Sequence, residues 1–331
     1  MGLKGDFRAI LRGTGSDLPE EAISNKVISE RYSIPEEEIF KKTGIRERRW
    51  ARASEASSDF ATRAAMRALE SAGIGADAID LIILSSTTPD LIFPSSACLV
   101  SRNLKTRSIP AFDVQASCSG FIFALAIAEN HLRQSGRHAL VVSGEVKSRT
   151  LSPDDPGTGI LFGDGGGAVV LERADGSDRG FLSFHLHSDG LHHDLISMPA
   201  GGSRRPLSQE TLGSGLHYIH MKGTRVYRLA VEYFGQAVRE ALEGSGIPLS
   251  RIDRFIFHQA NFRLIERVIA EYGIPVKKVE NSLEMYGNTS SASIPITLDR
   301  LVRSGGVRDG DLVLFASFGG GITWASALYQ F

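Results

Sequence analysis

The sequence predicts an α/β protein made of two duplicated halves, with β-sheets that helices cover on both faces. Three observations support this fold class. Short runs of apolar and β-branched residues alternate with longer stretches in which Ala and Leu recur at helical spacing. The runs are continuously apolar, which is typical of strands that are buried on both faces. A repeat with a constant offset indicates the duplication.

The elements follow one another in a regular order along the chain. The apolar runs predict strands at residues 81–85, 109–114, 139–143, 167–171, 254–258 and 311–316. The stretches with helical spacing predict helices at residues 58–72, 118–135, 224–244, 263–272 and 291–304. Continuously apolar strands separated by helices indicate a layered α/β fold.

The duplication is visible in two pairs of motifs. Ala68-Leu-Glu-Ser-Ala-Gly-Ile recurs at Ala241 as Ala-Leu-Glu-Gly-Ser-Gly-Ile, and the Ile79-Asp pair recurs at Ile252. Both recurrences lie 173 residues apart, far longer than the repeats of solenoid proteins. The repeat therefore indicates a duplicated domain.

The boundary between the two halves is expected in a polar, glycine-containing segment near residues 174–179. We therefore divide the chain into residues 1–175 and residues 176–331. Each half is expected to end in a strand and a Gly-rich hairpin, which begin at Phe162 and Phe318. Two related α/β halves create a cleft between their equivalent loops.

Composition excludes several classes of function. The 331 residues carry 37 Lys and Arg against 38 Asp and Glu, so no overall positive field attracts nucleic acid or an anionic membrane. No apolar run approaches the roughly 18–20 residues that span a bilayer. The first seven residues contain no apolar segment typical of a secretory signal. We expect a cytoplasmic protein with no nucleic-acid partner and no membrane partner.

Cys118 is the first candidate for chemistry. The predicted strand 109–114 leads into a sharp Ser-Cys118-Ser-Gly junction, and a long apolar helix follows. At the start of a helix, free N–H groups and the helix dipole favour a thiolate. The alternative is an inert buried cysteine. Cys98 lies at helical spacing without such a junction, so we expect it to fill space in the fold.

His258 and Asn288 are further candidates. His258 is the last residue of the predicted strand 254–258, at the carboxyl end where α/β proteins place functional side chains. The alternative is a buried histidine whose hydrogen bonds are satisfied within the core. Asn288 lies in a Gly-containing turn before a helix, where a lone asparagine is most often an N-cap. A catalytic function for Asn288 is favoured only because the sequence also contains Cys118 and His258.

The remaining motifs argue against a bound cofactor. Phe162-Gly-Asp-Gly lacks the Gly-Lys-Ser/Thr ending of a phosphate-binding loop, and Gly13-Thr-Gly lacks the third glycine of a dinucleotide site. Gly319-Gly-Gly can bring backbone N–H groups close to a reacting carbonyl. The four histidines within residues 185–193 have no carboxylate at a ligand spacing, and part of the segment alternates like a strand. We expect neither a metal nor a cofactor.

Eight motifs occur in an order that matches one family. They are Gly13-Thr-Gly-Ser, Thr43-Gly-Ile-Arg-Glu-Arg, Phe93-Pro-Ser, the Cys118 junction, Phe162-Gly-Asp-Gly, His258-Gln-Ala-Asn-Phe-Arg, Gly287-Asn-Thr-Ser-Ser-Ala-Ser-Ile-Pro and Phe318-Gly-Gly-Gly-Ile-Thr-Trp. The chain resembles β-ketoacyl-acyl-carrier-protein synthase III, one of the thiolase-like condensing enzymes, almost from end to end. The resemblance implies a thiolase-like fold whose duplicated halves form five layers, αβαβα.

The resemblance also implies a reaction. Cys118 would attack an acyl thioester and carry the acyl group, while the backbone N–H groups of Cys118 and Gly320 would hold the oxyanion. His258 and Asn288 would complete the triad and hydrogen-bond the enolate that malonyl-acyl carrier protein leaves when it loses CO₂. The product would be a 3-oxoacyl-acyl carrier protein, which starts a fatty acid or a related acyl chain.

The implied partners are acyl carrier protein, a coenzyme A thioester and a second copy of the chain. Arg263 and Arg228 match the family's basic positions for binding the carrier protein. Phe93, Asn261 and Gly223 are assigned to the substrate pocket, and Phe93 matches a residue that extends into the neighbouring subunit's acyl pocket. This last match implies a homodimer.

Three positions depart from the family pattern. Glu38 stands where many members have the tryptophan that stacks on the adenine of coenzyme A, and Pro156 stands where its partner arginine is expected. Thr224 replaces an asparagine near the pantetheine path. We therefore expect weak recognition of the nucleotide end of coenzyme A.

Three other functions remain alternatives. A non-decarboxylating acyltransferase on the same scaffold needs a base but no pair of enolate donors, so the presence of both His258 and Asn288 favours decarboxylation. A papain-like hydrolase shares the order Cys, His, Asn but not the duplicated architecture. A catalytically silent binding subunit does not account for the complete triad.

Overall fold

Two β-sheets, one from each half of the sequence, form the frame of the molecule. The computed structural model describes residues 7–331. The interpretation of residues 1–6 as lacking a signal segment lies outside this range. The strands are β1 Phe7–Asp17, β2 Ala22–Ser24, β3 Glu47–Arg49, β4 Leu81–Ser85, β5 Ala111–Val114, β6 His138–Glu145, β7 Gly165–Asp175, β8 Gly180–Ser188, β9 Ile196–Ser197, β10 His220–Met221, β11 Arg254–Phe257, β12 Leu312–Gly319 and β13 Thr323–Gln330.

The helices alternate with these strands. They are α1 Asn25–Tyr32, α2 Glu36–Thr43, α3 Ser57–Ala72, α4 Ser96–Leu104, α5 Gly120–Gln134, α6 Pro156–Gly159, α7 Gln209–Gly213, α8 Gly223–Ser245, α9 Phe262–Tyr272, α10 Leu283–Tyr286 and α11 Ser293–Arg303. Within residues 7–331, no helix has both the length and the apolar character needed to cross a membrane.

The same four-stranded arrangement occurs twice. The first sheet has the order β1-β7-β6-β4-β5 and the second the order β8-β13-β12-β11. In each sheet the first two pairings are antiparallel and the third is parallel. β5 adds one parallel strand to the first sheet. The first sheet therefore uses strands from residues 7–175, and the second uses strands from residues 180–330.

The helices and the two sheets form five layers. α5 and α11 lie between the sheets, in a buried cluster that includes Phe121, Leu125 and Ile294 together with side chains from both sheets. α3 and α4 pack on the outer face of the first sheet. α8 and α9 pack on the outer face of the second. The predicted αβαβα arrangement is confirmed.

The six predicted strands and five predicted helices are all present, with ends that shift by a few residues. Two long strands outside that set are β1, which contains arginines and glycines, and β13, which contains small residues, so neither gives a continuously apolar run. The strands β2, β3, β8, β9 and β10 also lie outside the predicted set. Glycine is required in β1 by packing, since a Cβ on Gly13 would lie 2.3 Å from the backbone oxygen of Ala68 in α3. The hairpin predicted at Phe162 is wrong, because residues 146–164 form a long connection between β6 and β7.

Candidate active site

Cys118 lies on a sharp turn between β5 and the central helix α5. Residues 117–119 form one 3-10 turn, and Ser117 adopts a left-handed backbone with φ of 49°. The second half contains the same device before α11, where Ser290 has φ of 53°. These serines are 173 residues apart, the offset of the sequence repeat. The two turns meet, with the Cys118 sulfur 3.5 Å from the Ser290 hydroxyl.

The environment of the Cys118 thiol differs from the sequence-based expectation. The position at a helix start predicts a stabilised thiolate, but burial raises the pKa of the Cys118 thiol. The Ser290 hydroxyl and the charge of Lys147 lower that pKa in part, while the charge of Glu145 raises it. The resting nucleophile is therefore a protonated thiol. Its proton must leave during attack on a substrate.

His258 follows β11 and is almost completely buried. Its Nδ1 lies 2.8 Å from the Ser293 hydroxyl, and that hydroxyl accepts a hydrogen bond from the backbone N–H of Gln259 at 3.3 Å. We assign the Ser293 hydroxyl as the donor to Nδ1, which places the ring hydrogen on Nε2. Burial lowers the pKa of His258 to about 3. The side chain is a neutral N–H donor at neutral pH.

Asn288 is oriented in a comparable way. Its Oδ1 accepts the backbone N–H of Ser290 at 2.8 Å, which leaves the two Nδ2 hydrogens as donors. Its backbone is held against the neighbouring segment, because the Asn288 N–H donates to Leu161 and its carbonyl accepts from Gly163. Asn288 therefore makes the local backbone contact expected of a lone asparagine, and the same hydrogen bond orients its Nδ2 group as a donor.

The Gly-rich end of β12 lies directly over the Cys118 turn. A Cβ on Gly319 would lie 2.6 Å from the backbone nitrogen of Cys118, and one on Gly320 would lie 3.1 Å from the carbonyl of Ile196. At Gly319 only a residue without a side chain allows this approach. The backbone of the second half therefore packs directly against the backbone of the Cys118 turn in the first half.

These residues line one cavity of about 450 Å³. The cavity is lined by the sequence-predicted residues Cys118, His258, Asn288, Gly320, Asn261 and Gly223. Residues that the sequence analysis did not single out also line it, among them Thr87, Lys147 and Ser290. Ser290 could have been found, because the repeat offset connects it with Ser117. No sequence signal distinguishes Thr87 or Lys147.

Three predicted residues lie outside the cavity. Phe93 is 83% exposed in the connection between β4 and α4. Arg228 is exposed on α8. Arg263 is exposed in the first turn of α9, where its Nε donates to the carbonyl of Lys41 at 2.7 Å. All three are available on the surface of this chain.

Two other expectations need correction. Cys98 does not fill the core, because it is exposed on α4 with its sulfur 3.7 Å from the Ala111 carbonyl. Glu38 does not face the cavity, since its carboxylate lies 2.5 Å from the Nζ of Lys42 one turn later on α2. Lys42 and Pro156 do line the cavity. The lining of the cavity therefore includes Lys42, with which Glu38 pairs, and not Glu38 itself.

The histidine-rich segment forms no metal site in the described part of the chain. Within residues 7–331, no group of three or more His, Cys, Asp or Glu side chains could hold a metal ion. His187 stacks on Trp324 with ring centres 5.1 Å apart, and its Nε2 lies 2.9 Å from a carboxylate oxygen of Glu240. These contacts give His187 a structural function.

Comparison with known proteins agrees with this geometry. Residues 112–190 match the family model described as 3-oxoacyl-[acyl-carrier-protein] synthase III, and residues 242–331 match the model of its C-terminal part. A β-ketoacyl-[acyl-carrier-protein] synthase III of Thioalkalivibrio sulfidiphilus is 44% identical over 324 residues, which cover 98% of this chain and 99% of that protein. The chain belongs to the 3-oxoacyl-[acyl-carrier-protein] synthase III family.

Solved structures of the synthase III family have the same fold. The 3-oxoacyl-[acyl-carrier-protein] synthase III of Aquifex aeolicus superposes with a TM-score of 0.90 at 36% identity, covering 98% of this chain and 100% of that one. The priming β-ketosynthase of the R1128 polyketide pathway also gives 0.90, at 34% identity with 100% and 99% covered. The thiolase-like fold predicted from the sequence is confirmed.

Proposed function

We infer that the protein is an acyltransferase that catalyses a decarboxylative Claisen condensation between an acyl primer and malonyl-acyl carrier protein. The product is a 3-oxoacyl-acyl carrier protein, the first intermediate of fatty acid synthesis. One observation carries this inference. A cysteine thiol and two neutral hydrogen-bond donors, His258 and Asn288, line the same cavity and come from different halves of the molecule.

In the first step the primer is transferred to Cys118. The sulfur attacks the thioester carbonyl, and the backbone N–H groups of Cys118 and Gly320 stabilise the oxyanion. The bond to the coenzyme A sulfur then breaks, and coenzyme A leaves with the proton that the Cys118 thiol loses. The approach of β12 to the Cys118 nitrogen supports this assignment.

In the second step malonyl-acyl carrier protein loses CO₂. Negative charge develops on the thioester oxygen, and the Nε2–H of His258 and the Nδ2–H of Asn288 donate to it. Neutral donors suit this step, because the low pKa of His258 leaves its imidazole uncharged at neutral pH before the substrate binds. A single donor of this kind is worth about 10²–10³ in rate.

In the third step the enolate carbon attacks the acyl group on Cys118. A carbon–carbon bond forms, the carbon–sulfur bond to Cys118 breaks, and one proton from solvent restores the thiol. A direct test supplies malonyl-acyl carrier protein labelled in its free carboxyl carbon. Labelled CO₂ and an equal amount of 3-oxoacyl product are expected. Transfer of the primer to another acceptor without CO₂ would identify a non-decarboxylating acyltransferase and reject the proposal.

We also propose that acyl carrier protein binds the exposed surface around Arg263 and Arg228, since its acidic surface requires basic partners. Arg263→Glu and Arg228→Glu should each lower kcat/KM for the carrier-protein substrate about tenfold, while a small thioester mimic reacts normally. The effect should shrink as salt rises. Arg308→Glu, an exposed arginine on another surface, is the control. Equal loss with both substrates would place the arginine within the catalytic structure.

We propose further that two copies associate through the face around β5. β5 lies at the edge of the first sheet, and the nearby Leu91, Ile92 and Phe93 are 50%, 87% and 83% exposed. An apolar patch beside an unpaired strand edge is typical of an interface. Sedimentation equilibrium should give a dimer that Ile92→Asp dissociates. A monomeric parent protein would reject the proposal.

The primer is expected to bind mainly through its pantetheine and acyl parts, because Glu38 and Pro156 do not supply an adenine clamp. Acetyl-pantetheine should therefore retain most of the kcat/KM of acetyl-CoA. We place the reaction in the cytoplasm, where these thioesters are made. Fractionation that recovers the protein with the membrane or outside the cell would contradict this location.

A further inference from the structure

One charged side chain lines the cavity and has no step assigned to it in the proposed reaction beyond lowering the pKa of the Cys118 thiol. Lys147 lies just after β6, is only 5% exposed, and lines the cavity together with Cys118, Thr87 and Phe162. Its Nζ lies 5.3 Å from the centre of the Phe162 ring. Lysine is almost never buried to this degree without a partner. The acceptors available to the Nζ of Lys147 therefore determine whether the side chain can bind a ligand.

The protein satisfies only part of the hydrogen-bonding capacity of Lys147. The Thr87 hydroxyl donates its hydrogen to Glu145 at 2.8 Å, so its oxygen accepts from the Nζ of Lys147 at 3.2 Å. An ammonium group has three N–H donors. Within residues 7–331, the Thr87 hydroxyl is the acceptor found for Nζ, and no carboxylate pairs with it.

The nearest acid of the same segment is already occupied. The Glu145 carboxylate accepts hydrogen bonds from the Thr87 backbone and hydroxyl, the Thr88 hydroxyl and the Ser291 hydroxyl. It is fully buried and does not line the cavity. The charged residues among those lining the cavity are Lys42 and Lys147. Lys42 is exposed and pairs with Glu38, so Lys147 is the charge that faces the interior.

We propose that Lys147 selects a primer whose acyl chain ends in a carboxylate, that is, the monothioester of a dicarboxylic acid. This inference rests on the proposed function, because it requires the acyl chain to enter the cavity beside Cys118. An unpaired buried charge is costly, and a carboxylate held by two of its N–H groups supplies the missing partner. A methyl-terminated chain would leave those donors unpaired.

The chemistry at Cys118 is unchanged by this selection. Its sulfur forms a bond to the thioester carbon, the bond from that carbon to the coenzyme A sulfur breaks, and coenzyme A leaves with the thiol proton. The distal carboxylate takes no part and remains ionised beside Lys147. Condensation then gives a 3-oxoacyl product that keeps the distal carboxylate.

The test compares primers of equal carbon number. Rates of acylation of Cys118 are measured by mass spectrometry with succinyl-CoA against butyryl-CoA and with glutaryl-CoA against valeryl-CoA. For at least one pair, the parent protein should acylate about 10- to 100-fold faster with the carboxylate-terminated primer. Lys147→Met should reduce that ratio to about one or reverse it. Lys42→Met removes the exposed lysine that lines the cavity and should leave the ratio unchanged.

The possible outcomes separate this inference from the proposed function. Faster acylation of the parent protein by butyryl-CoA and valeryl-CoA would overturn the selection, and this result requires no variant to fold. A ratio that keeps the parent's value in Lys147→Met, with all four rates lowered equally, would also overturn it, because Lys147 would then act only on the thiol. Condensation of neutral primers with malonyl-acyl carrier protein would leave the proposed function intact in both cases. Failure of every thioester to acylate Cys118 would reject both.

Discussion

Ser117 and Ser290 occupy equivalent places in the two halves, since each has a left-handed backbone in a turn before a central helix. In the first half the next residue is Cys118, whose thiol lines the cavity. In the second half it is Ser291, which is fully buried and donates to Glu145 at 2.7 Å. The comparison shows that the same turn, with a left-handed serine before a central helix, has different functions in the two halves. One turn presents a nucleophile, and the other supports the donor Asn288.

The largest effect is expected when Cys118 is replaced by alanine, with Ser291→Ala at the equivalent position of the second half for comparison. Cys118→Ala should abolish the acyl-enzyme, because no other group replaces the sulfur. Ser291→Ala removes one of several donors to Glu145 and should cost about 1–3 kcal/mol of stability while the folded protein still acylates Cys118. Intact-protein mass spectrometry and thermal unfolding measure both effects. An acyl group found on Cys98, with Cys118 unmodified, would show that the turn at Cys118 does not present the nucleophile.

The second effect concerns the donors of the second half. His258→Ala and Asn288→Ala should each lower malonyl decarboxylation about 10²–10³-fold, since each removes one hydrogen bond to the developing oxyanion. His258→Gln keeps an amide N–H and should recover part of the rate. The release of labelled CO₂ provides the measurement. Decarboxylation at the parent rate in either alanine variant would exclude that residue from the step.

The two steps should also differ in their dependence on pH. The pKa of the Cys118 thiol lies above its ordinary value, so the rate of acylation should rise as pH increases through and beyond neutrality. His258 has a pKa of about 3, so the imidazole is neutral from about pH 5 upward and its titration should not affect decarboxylation there. The rate of decarboxylation would contradict this if it changed with pH around an apparent pKa between 6 and 7. Loss of that pH dependence in His258→Gln would show that the imidazole is protonated in the cycle.

The smallest effect comes from the contact between the turns. The Ser290 hydroxyl lies 3.5 Å from the Cys118 sulfur and lowers the pKa of the thiol. Ser290→Ala should raise that pKa and slow acylation at neutral pH by about 2- to 10-fold. Ser117→Ala, in the equivalent position of the first half, is the matched control and should have less effect on the thiol pKa. Ultraviolet titration of the thiolate measures the difference.

The sequence predicted six of the strands, five of the helices, the duplication and the catalytic candidates Cys118, His258 and Asn288, which line one cavity. Apolar strands, helical spacing and the repeat with its constant offset can all be recognised in the sequence without knowledge of tertiary contacts. The orientation of the donors could not be predicted in this way. It depends on Ser293 of α11, which lies beside the His258 ring, and on the Ser290 N–H, which lies beside Asn288 in the same turn, and no periodicity or motif in the sequence specifies either direction.

Burial explains the remaining differences between sequence and structure. The exposure of Cys98 and the raised pKa of Cys118 are set by the layers that pack around each cysteine, which a helix-start or helical-spacing pattern does not describe. Lys147 follows a buried strand in a segment with no recognisable motif. Its position in the cavity follows only from the folded structure.

The central claim is that the first half supplies the nucleophile and the second half supplies the decarboxylating donors. The most direct test measures the two half-reactions separately in Cys118→Ala and in His258→Ala. Cys118→Ala should release CO₂ from malonyl-acyl carrier protein without forming an acyl-enzyme, while His258→Ala should form the acyl-enzyme with decarboxylation reduced at least a hundredfold. Parallel loss of both half-reactions in both variants would contradict this division of labour between the two halves.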